Sequence, residues 1–459
     1  MISYETLGSF IKGNLELWCP KMIILQQESD KPIKYAGSGL IRQNKDRRLE
    51  FVLIENPSPS LAENIKRMMR NDGEVGVLLP ADKYYSLEAD DISGCKWKSN
   101  RLQISQSFAP GGSIELGEIY FLEQIESSES HNATIKLEIL SDVKLPFTEV
   151  TKKTVRMGTD ELVSWERNMA RFKVGQVELT ITNENNILTV VATSEGTNFP
   201  AHFETRILEA LQFVAARTLS WGILQKTSDG KSVTCLRSPD KGQFSTNLSL
   251  PIDYIHLDLA GKWVWLLFEK YLEHICDFES KDRFQMHPLS AWLHYVRNSS
   301  TGSIFAKGLG LGIAVEGILK CKYSKIGRSS PEDVKAVEAM IDHVNYFSGG
   351  GNILARTLGA LREMQSIRAT DRLIALQAEG FVRAANVQAW KAIRNSAAHA
   401  RPPESEEIQE WIDYCYKTEV LINHLIFHAI GYEGKFTDYG NRKQNWPLSQ
   451  YPFSNTISS

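Results

Sequence analysis

Apolar and polar positions alternate in short runs through the first two hundred residues. Residues 22–25, 49–54, 75–79, 119–122 and 135–140 are separated by clusters of Gly, Pro, Asn, Asp and Ser, a pattern that predicts antiparallel strands and turns. Residues 176–182 and 187–193 flank Asn183-Glu184-Asn185-Asn186 and predict a hairpin, because Asn tolerates the left-handed backbone that tight turns need. An amphipathic segment over 203–219, with Ile207, Leu208, Leu211, Phe213 and Val214 at helical spacing, is expected to cap this β region. Residues 225–250, rich in Ser, Gly, Asp and Pro, read as the connection between the two halves of the chain, ending near Pro251.

Beyond residue 257 the period lengthens, and helices are predicted over 260–276, 288–297, 304–320, 331–346, 354–365, 371–378, 387–398 and 404–430. Pro288 and Pro331 stand where a first helical turn tolerates a missing N–H, and Ser330 is a candidate cap. No fixed period recurs, which excludes a solenoid. The fold class expected is α+β multidomain: a β-rich domain over 1–250, an all-α bundle over 251–432 and a C-terminal tail over 433–459.

The 459 residues are enough for two or three domains. Lys plus Arg total 52 against 55 Asp plus Glu, so the net charge of −3 supplies no global field for nucleic acid, and such binding needs a local patch. The six cysteines form no CxxC pair, which disfavours zinc cassettes and a disulfide framework. Glu5, Lys12 and Glu16 interrupt the start of the chain, unlike a cleaved leader, and the most apolar runs (263–268 and 309–315) fall short of the ~20 residues a membrane helix requires. The expectation is a cytoplasmic protein with no membrane partner.

The segment from Trp390 to Pro403 carries the most chemistry. Trp390, Ile393 and Ala397 recur three and four apart and should face a bundle interior, while Asn395 and His399 share a neighbouring face. Pro402 and Pro403 end the helix, so His399 and Arg401 fall in its closing turn, where the helix dipole favours a protonated imidazole. Arg394 and His399 together would make a phosphate site. From Arg362 to Arg401 seven basic residues (Arg362, Arg368, Arg372, Arg383, Lys391, Arg394 and Arg401) face three acids (Glu363, Asp371 and Glu379), a local surplus of four. The plainer reading is a helix end whose arginine pairs with Glu404 or Glu406 and whose histidine satisfies the last carbonyls.

Arg394, Asn395 and His399 resemble the signature of the HEPN superfamily, an Arg, a polar residue and a His at the junction of two helices. Ile430-Gly431-Tyr432-Glu433-Gly434-Lys435-Phe436 and the stretch from Tyr85 to Trp97 are similar to segments of the ApeA-type anti-phage members. The resemblance implies a metal-independent endoribonuclease with no cofactor, acting on RNA as a homodimer or higher even oligomer whose two motifs share one composite site. It also implies a phage-derived trigger for the β-rich half. Arg394 would hold the scissile phosphate, His399 would move protons, Asn395 would orient one of them, and Lys391 and Arg401 would bind RNA. The signature has its short form here, four residues between Arg and His, two of them the alanines Ala397 and Ala398.

Weaker signals point elsewhere. His424 and His428 have a metal-ligand spacing, yet Leu425 stands where a zinc protease has Glu and no third ligand is near, so no metal is expected. Gly308, Gly310, Gly312 and Gly317 lack the dinucleotide spacing and read as close helix packing, and Glu316 among them should be either exposed or paired with a cation, for which Arg394 is one conjectural candidate. The rival readings are a non-catalytic dimerisation or interaction protein with a ligand-binding β domain, and a metal enzyme centred on the two histidines.

Overall fold

The computed structural model describes residues 2–56, 79–109, 112–130, 132–157, 160–194, 199–240, 248–253, 257–282, 284–327, 331–347, 349–365, 367–398 and 404–453. The chain divides into two compact units: Met1–Pro200 with Leu219–Gln243, and Ala201–Thr218 with Phe244–Ser459. A β-rich N-terminal region is thus followed by a helical C-terminal one.

The first unit begins with α1 (Tyr4–Lys12), capped by Ser3, whose hydroxyl accepts from the Thr6 amide. Its strands are β1 (Glu16–Gln26), β2 (Lys34–Gln43), β3 (Leu49–Glu55), β4 (Tyr85–Asp90), β5 (Lys96–Leu102), β6 (Ser105–Ala109), β7 (Gly112–Ile119) and β8 (Phe121–Ser127). They continue with β9 (Ala133–Ile139), β10 (Glu149–Met157), β11 (Asp160–Val174), β12 (Val177–Glu184), β13 (Ile187–Ser194), β14 (Ile223–Ser228) and β15 (Lys231–Arg237). All join one sheet in the order β10-β11-β12-β13-β9-β14-β15-β8-β5-β4-β1-β2-β3-β7-β6, and every pairing is antiparallel. Alternation puts Leu49, Phe51 and Leu53 of β3 on the buried side with Tyr35, Tyr85, Leu87 and Trp97.

The expected hairpin is present and tight. The β12–β13 ladder runs to Glu184 opposite Ile187, so Asn185 and Asn186 alone make the turn, both at positive φ. Three expectations are corrected. The apolar run 119–122 spans two strands, because β7 ends at Ile119 and β8 starts at Phe121. Residues 225–237, read as a connection, are the hairpin β14–β15, turning at Asp229 and Gly230 (φ 51° and 71°) and pairing β9 on one side and β8 on the other. Polar side chains had disguised a strand whose backbone is fully laddered. The helix expected over 203–219 is shorter, α2 (Phe203–Val214), and it belongs to the helical unit and not to the β-rich one. Most of the 75–79 run lies outside the described residues.

The second unit contains α2, α3 (Leu257–Cys276), α4 (Pro288–Ser299), α5 (Ile304–Lys322), α6 (Pro331–Asn345), α7 (Gly351–Gln365), α8 (Ala369–Ala378), α9 (Ala384–Ala398) and α10 (Ile408–Ala429). Pro288 opens α4 with His287 as its cap, the ring Nδ1 accepting from the Leu289 amide at 3.2 Å. Pro331 opens α6 as expected, while its candidate cap Ser330 lies outside the described residues. The stretch 433–459 is no free tail as far as it is described: β16 (Gly434–Thr437) pairs β17 (Leu448–Tyr451), and Phe436, Tyr451 and Phe453 close around His424. No helix among the described residues is long and apolar enough to cross a membrane.

This unit buries charge. Arg206 and Glu209 of α2 pair at 2.5 Å with side chains 1% and 2% exposed, and Glu209 accepts from the His287 amide. Arg297 donates to the Gln212 carbonyl and side chain at 3.0 and 3.1 Å. Burial raises the Glu209 pKa despite the attraction of Arg206, and it drives the His287 ring down to about 3, helped by Lys322.

Candidate functional site

Helix α9 is fixed by its apolar side. Val387, Ala389, Trp390 and Ile393 are buried, and the Trp390 indole donates to the Gly312 carbonyl of α5 at 3.2 Å. A Cβ on residue 312 would sit 3.7 Å from the Ile393 side chain and 3.9 Å from the Arg394 backbone, so the two helices are already in van der Waals contact there. The other glycines of α5 are tighter still. A Cβ at Gly308 would meet the Trp411 ring at 2.6 Å, and one at Gly310 or Gly317 would overlap the Ser299 hydroxyl or the Trp292 ring. Close packing accounts for this stretch completely.

The opposite side of α9 is open. Arg394 and Asn395 are exposed in its last turns, with Lys391 half-buried one turn earlier. Arg394 donates through Nε to Glu316 Oε1 at 2.5 Å, both side chains about half exposed at 51% and 43%. Among the described residues its two Nη groups have no partner, so one edge of the guanidinium is tethered and the other remains able to grip an anion in bidentate fashion. His399 and Arg401 lie outside the described residues, as does the junction to α10.

The basic segment is less charged than counting along it implies. Arg383 pairs with Asp438 and stacks over the Phe453 ring at 4.4 Å, and Arg394 pairs with Glu316. Both acids come from outside the segment, so two of its four surplus charges are already balanced. Sequence proximity cannot reveal acids that folding delivers from 55 and 78 residues away.

The two candidate metal histidines face different surroundings. His424 is wholly buried, with neither ring nitrogen hydrogen-bonded among the described residues and its edge to Phe436 and Phe453 at 4.9 Å. Burial holds its pKa well below the ordinary value. His428 instead meets the Tyr323 hydroxyl at 3.1 Å and the Phe381 ring at 4.0 Å. Among the described residues no group of three His, Cys, Asp or Glu side chains is placed to hold a metal ion.

The stretch from Tyr85 to Trp97 is the β4–β5 hairpin, and its chemistry is architectural. Asp91 Oδ1 accepts from the Ser93 amide, the Ser93 hydroxyl and the Cys95 amide at 2.8, 2.6 and 2.9 Å, while Oδ2 accepts from the Trp97 indole at 2.8 Å. Burial would raise the Asp91 pKa, but these donors outweigh it and hold the carboxyl below its usual range. Gly94 supplies the positive φ of the turn.

Two groupings escaped the sequence reading. The Arg206–Glu209 pair was legible as an i,i+3 spacing on a predicted helix. A cavity of about 890 Å³ in the β-rich unit, lined by Arg42, Arg48, Glu50, Arg101 and Glu118, has residues from several strands and no sequence signal. Comparison with family models, curated proteins and solved structures finds no match to this chain.

Proposed function

We propose that the helical unit is a metal-independent endoribonuclease of the HEPN type, working as a homodimer in abortive-infection defence against phage, with the β-rich unit recognising the trigger. The observation that carries this reading is the exposed face of α9: Arg394, exposed and with no partner on its Nη groups among the described residues, stands beside exposed Asn395 on a helix anchored by Trp390, and His399 follows five residues later in the sequence.

In this reading Arg394 binds the scissile phosphate and offsets the charge that builds on its oxygens. One His399 takes the proton from the ribose 2′-hydroxyl, which attacks the adjacent phosphorus. The bond to the 5′-oxygen breaks, and the His399 of the second copy gives that oxygen a proton. The products are a 2′,3′-cyclic phosphate and a 5′-hydroxyl, and DNA is spared because it lacks the nucleophile. Asn395 orients a proton carrier or a phosphate oxygen, and Lys391 and Arg401 bind the flanking backbone.

One observation favours a second reading. The Arg394–Glu316 pair ties α9 to α5, which is also what a purely structural arginine in a dimerisation module would do. Incubating the purified chain with RNA in excess EDTA separates the two. The ribonuclease reading expects cleavage that falls ~10²–10⁴-fold in His399→Ala and Arg394→Ala, with cyclic phosphate ends. Cleavage that survives His399→Ala, or that EDTA abolishes, refutes it. Protein that is inert even when co-expressed with phage components, yet dimeric, establishes the module.

A further inference from the structure

The β-rich unit holds its own candidate site. Arg101 lies in β5 where the β4–β5 register shifts: Tyr85 pairs Leu102 but Leu87 pairs Ser99, so Asn100 and Arg101 together oppose Ser86. At this bulge Arg101 has φ 59°, a conformation normally left to glycine. A bulky side chain held there strains the backbone, and such strain persists where the surrounding structure holds the residue in place.

Arg101 lines the cavity of about 890 Å³, whose size is typical of small-molecule sites. Gly117 of β7 sits opposite Phe51 of β3, and a Cβ there would lie 2.5 Å from both the Gln103 carbonyl and the Phe51 ring, so the wall is preformed around an absent side chain. The remaining charges of the cavity are internally matched. Arg42 pairs with Glu50 at 2.8 Å and Arg48 with Glu118 at 3.4 Å, whereas Arg101 has no partner among the described residues. The cavity therefore offers one exposed guanidinium with no protein partner among the described residues, beside carboxylates that still have lone pairs for hydroxyl groups.

We propose that this cavity binds a phosphorylated sugar, free or as part of a nucleotide, with the phosphate on Arg101 and sugar hydroxyls on Glu50 and Glu118. The site gives chemistry to the recognition role of the β-rich unit, and it stands whether or not the helical unit cuts RNA.

Calorimetric titration of the full chain with ribose 5-phosphate, AMP and unphosphorylated ribose tests it without any reading of RNA cleavage. One-site binding of ribose 5-phosphate or AMP is expected with Kd below about 1 mM, and none for ribose. Tighter binding of AMP identifies the nucleotide, and equal binding the free sugar phosphate. Arg101→Gly relieves the strained backbone, so it should raise the thermal midpoint by ~2–4 °C while weakening binding at least tenfold. Arg171→Gln, on β11 beyond the cavity, should change neither. Binding of ribose equal to that of its phosphate, no saturable heat with either phosphate, or undiminished affinity in Arg101→Gly overturns the proposal.

Discussion

The two units place their chemistry by opposite means. In the helical unit the candidate residues Arg394, Asn395 and His399 follow one another along a single helix end, so a local pattern announces them. In the β-rich unit the cavity residues Arg42, Glu50, Arg101 and Glu118 meet only because the sheet curls until β5 contacts β7, although β4, β1, β2 and β3 lie between those two strands along the ladder. The units also treat charge differently. The sheet buries the carboxylates Glu55, Asp91, Glu115 and Glu138 and leaves the Arg42–Glu50 and Arg48–Glu118 pairs at least partly exposed, whereas the helices bury both signs, Arg206 with Glu209 and Arg297.

Acid should separate the units most widely. His274, His287, His294, His424 and His428 all belong to the helical unit, and burial lowers every one of their pKa values. The unfolded chain then binds more protons than the folded one, so stability is lost as pH falls below 6.5, and His287 alone, titrating near 3, is worth roughly 4–5 kcal/mol across that window. Glu209, with its raised pKa, gains a proton on folding and offsets a part of this near pH 4.5. In the β-rich unit the depressed Asp91 carboxyl loses its contribution only as pH falls below 3.8. Peptide-resolved hydrogen exchange should therefore show α2 to α4 deprotected between pH 6 and 4 while β4 and β5 hold. His287→Asn keeps the cap and should narrow that gap; simultaneous loss in both units would show that the buried rings do not set the difference.

The same contrast explains what the amino-acid pattern disclosed. Helices α3 to α10 were legible to within a few residues because a 3.6-residue period and proline punctuation are local. The hairpin at Asn185 and Asn186 was legible for the same reason. Strands β14 and β15 were not: Gln225-Lys226-Thr227-Ser228 has the polarity of a loop, and only its neighbours β9 and β15 make it a strand. A lone acid on α5 was expected to be exposed or paired, with Arg394 only a conjectural partner, and Glu316 is both half exposed and paired with Arg394; no pattern in α9 pointed to that pair. Arg101 gave no signal, since neither bulge nor cavity exists until β4 pairs β5.

Removing single acids should sharpen the difference in charge burial. Glu209→Ala leaves the Arg206 guanidinium 1% exposed without its carboxylate, which costs about 3–5 kcal/mol in urea denaturation. Glu50→Ala breaks a pair whose arginine side chain is 46% exposed, and the loss should stay below about 1 kcal/mol because water replaces the partner. Equal losses would mean that the helical unit relaxes enough to hydrate Arg206, and its charges would then no longer count as buried.

The smallest expected effect tests whether the sheet is shaped locally or by its neighbours. Asn186 occupies the second position of a two-residue turn at φ 62°, where the mirror-image turn of a right-twisted hairpin favours glycine. Asn186→Gly removes the Cβ penalty of that conformation but frees the unfolded chain, so a net gain of about 0.5 kcal/mol is expected from the urea midpoint of the β-rich unit. Asn185 and Asn186 are bounded by the Glu184–Ile187 rung and carry no cavity residue, unlike Arg101 at its bulge. Relief of strain at 186 should thus raise stability and leave ribose 5-phosphate binding untouched, whereas relief at 101 should raise stability and weaken binding at least tenfold. If both substitutions behaved alike toward the ligand, left-handed strain in this sheet would be a generic cost of turning strands, with no functional meaning at Arg101.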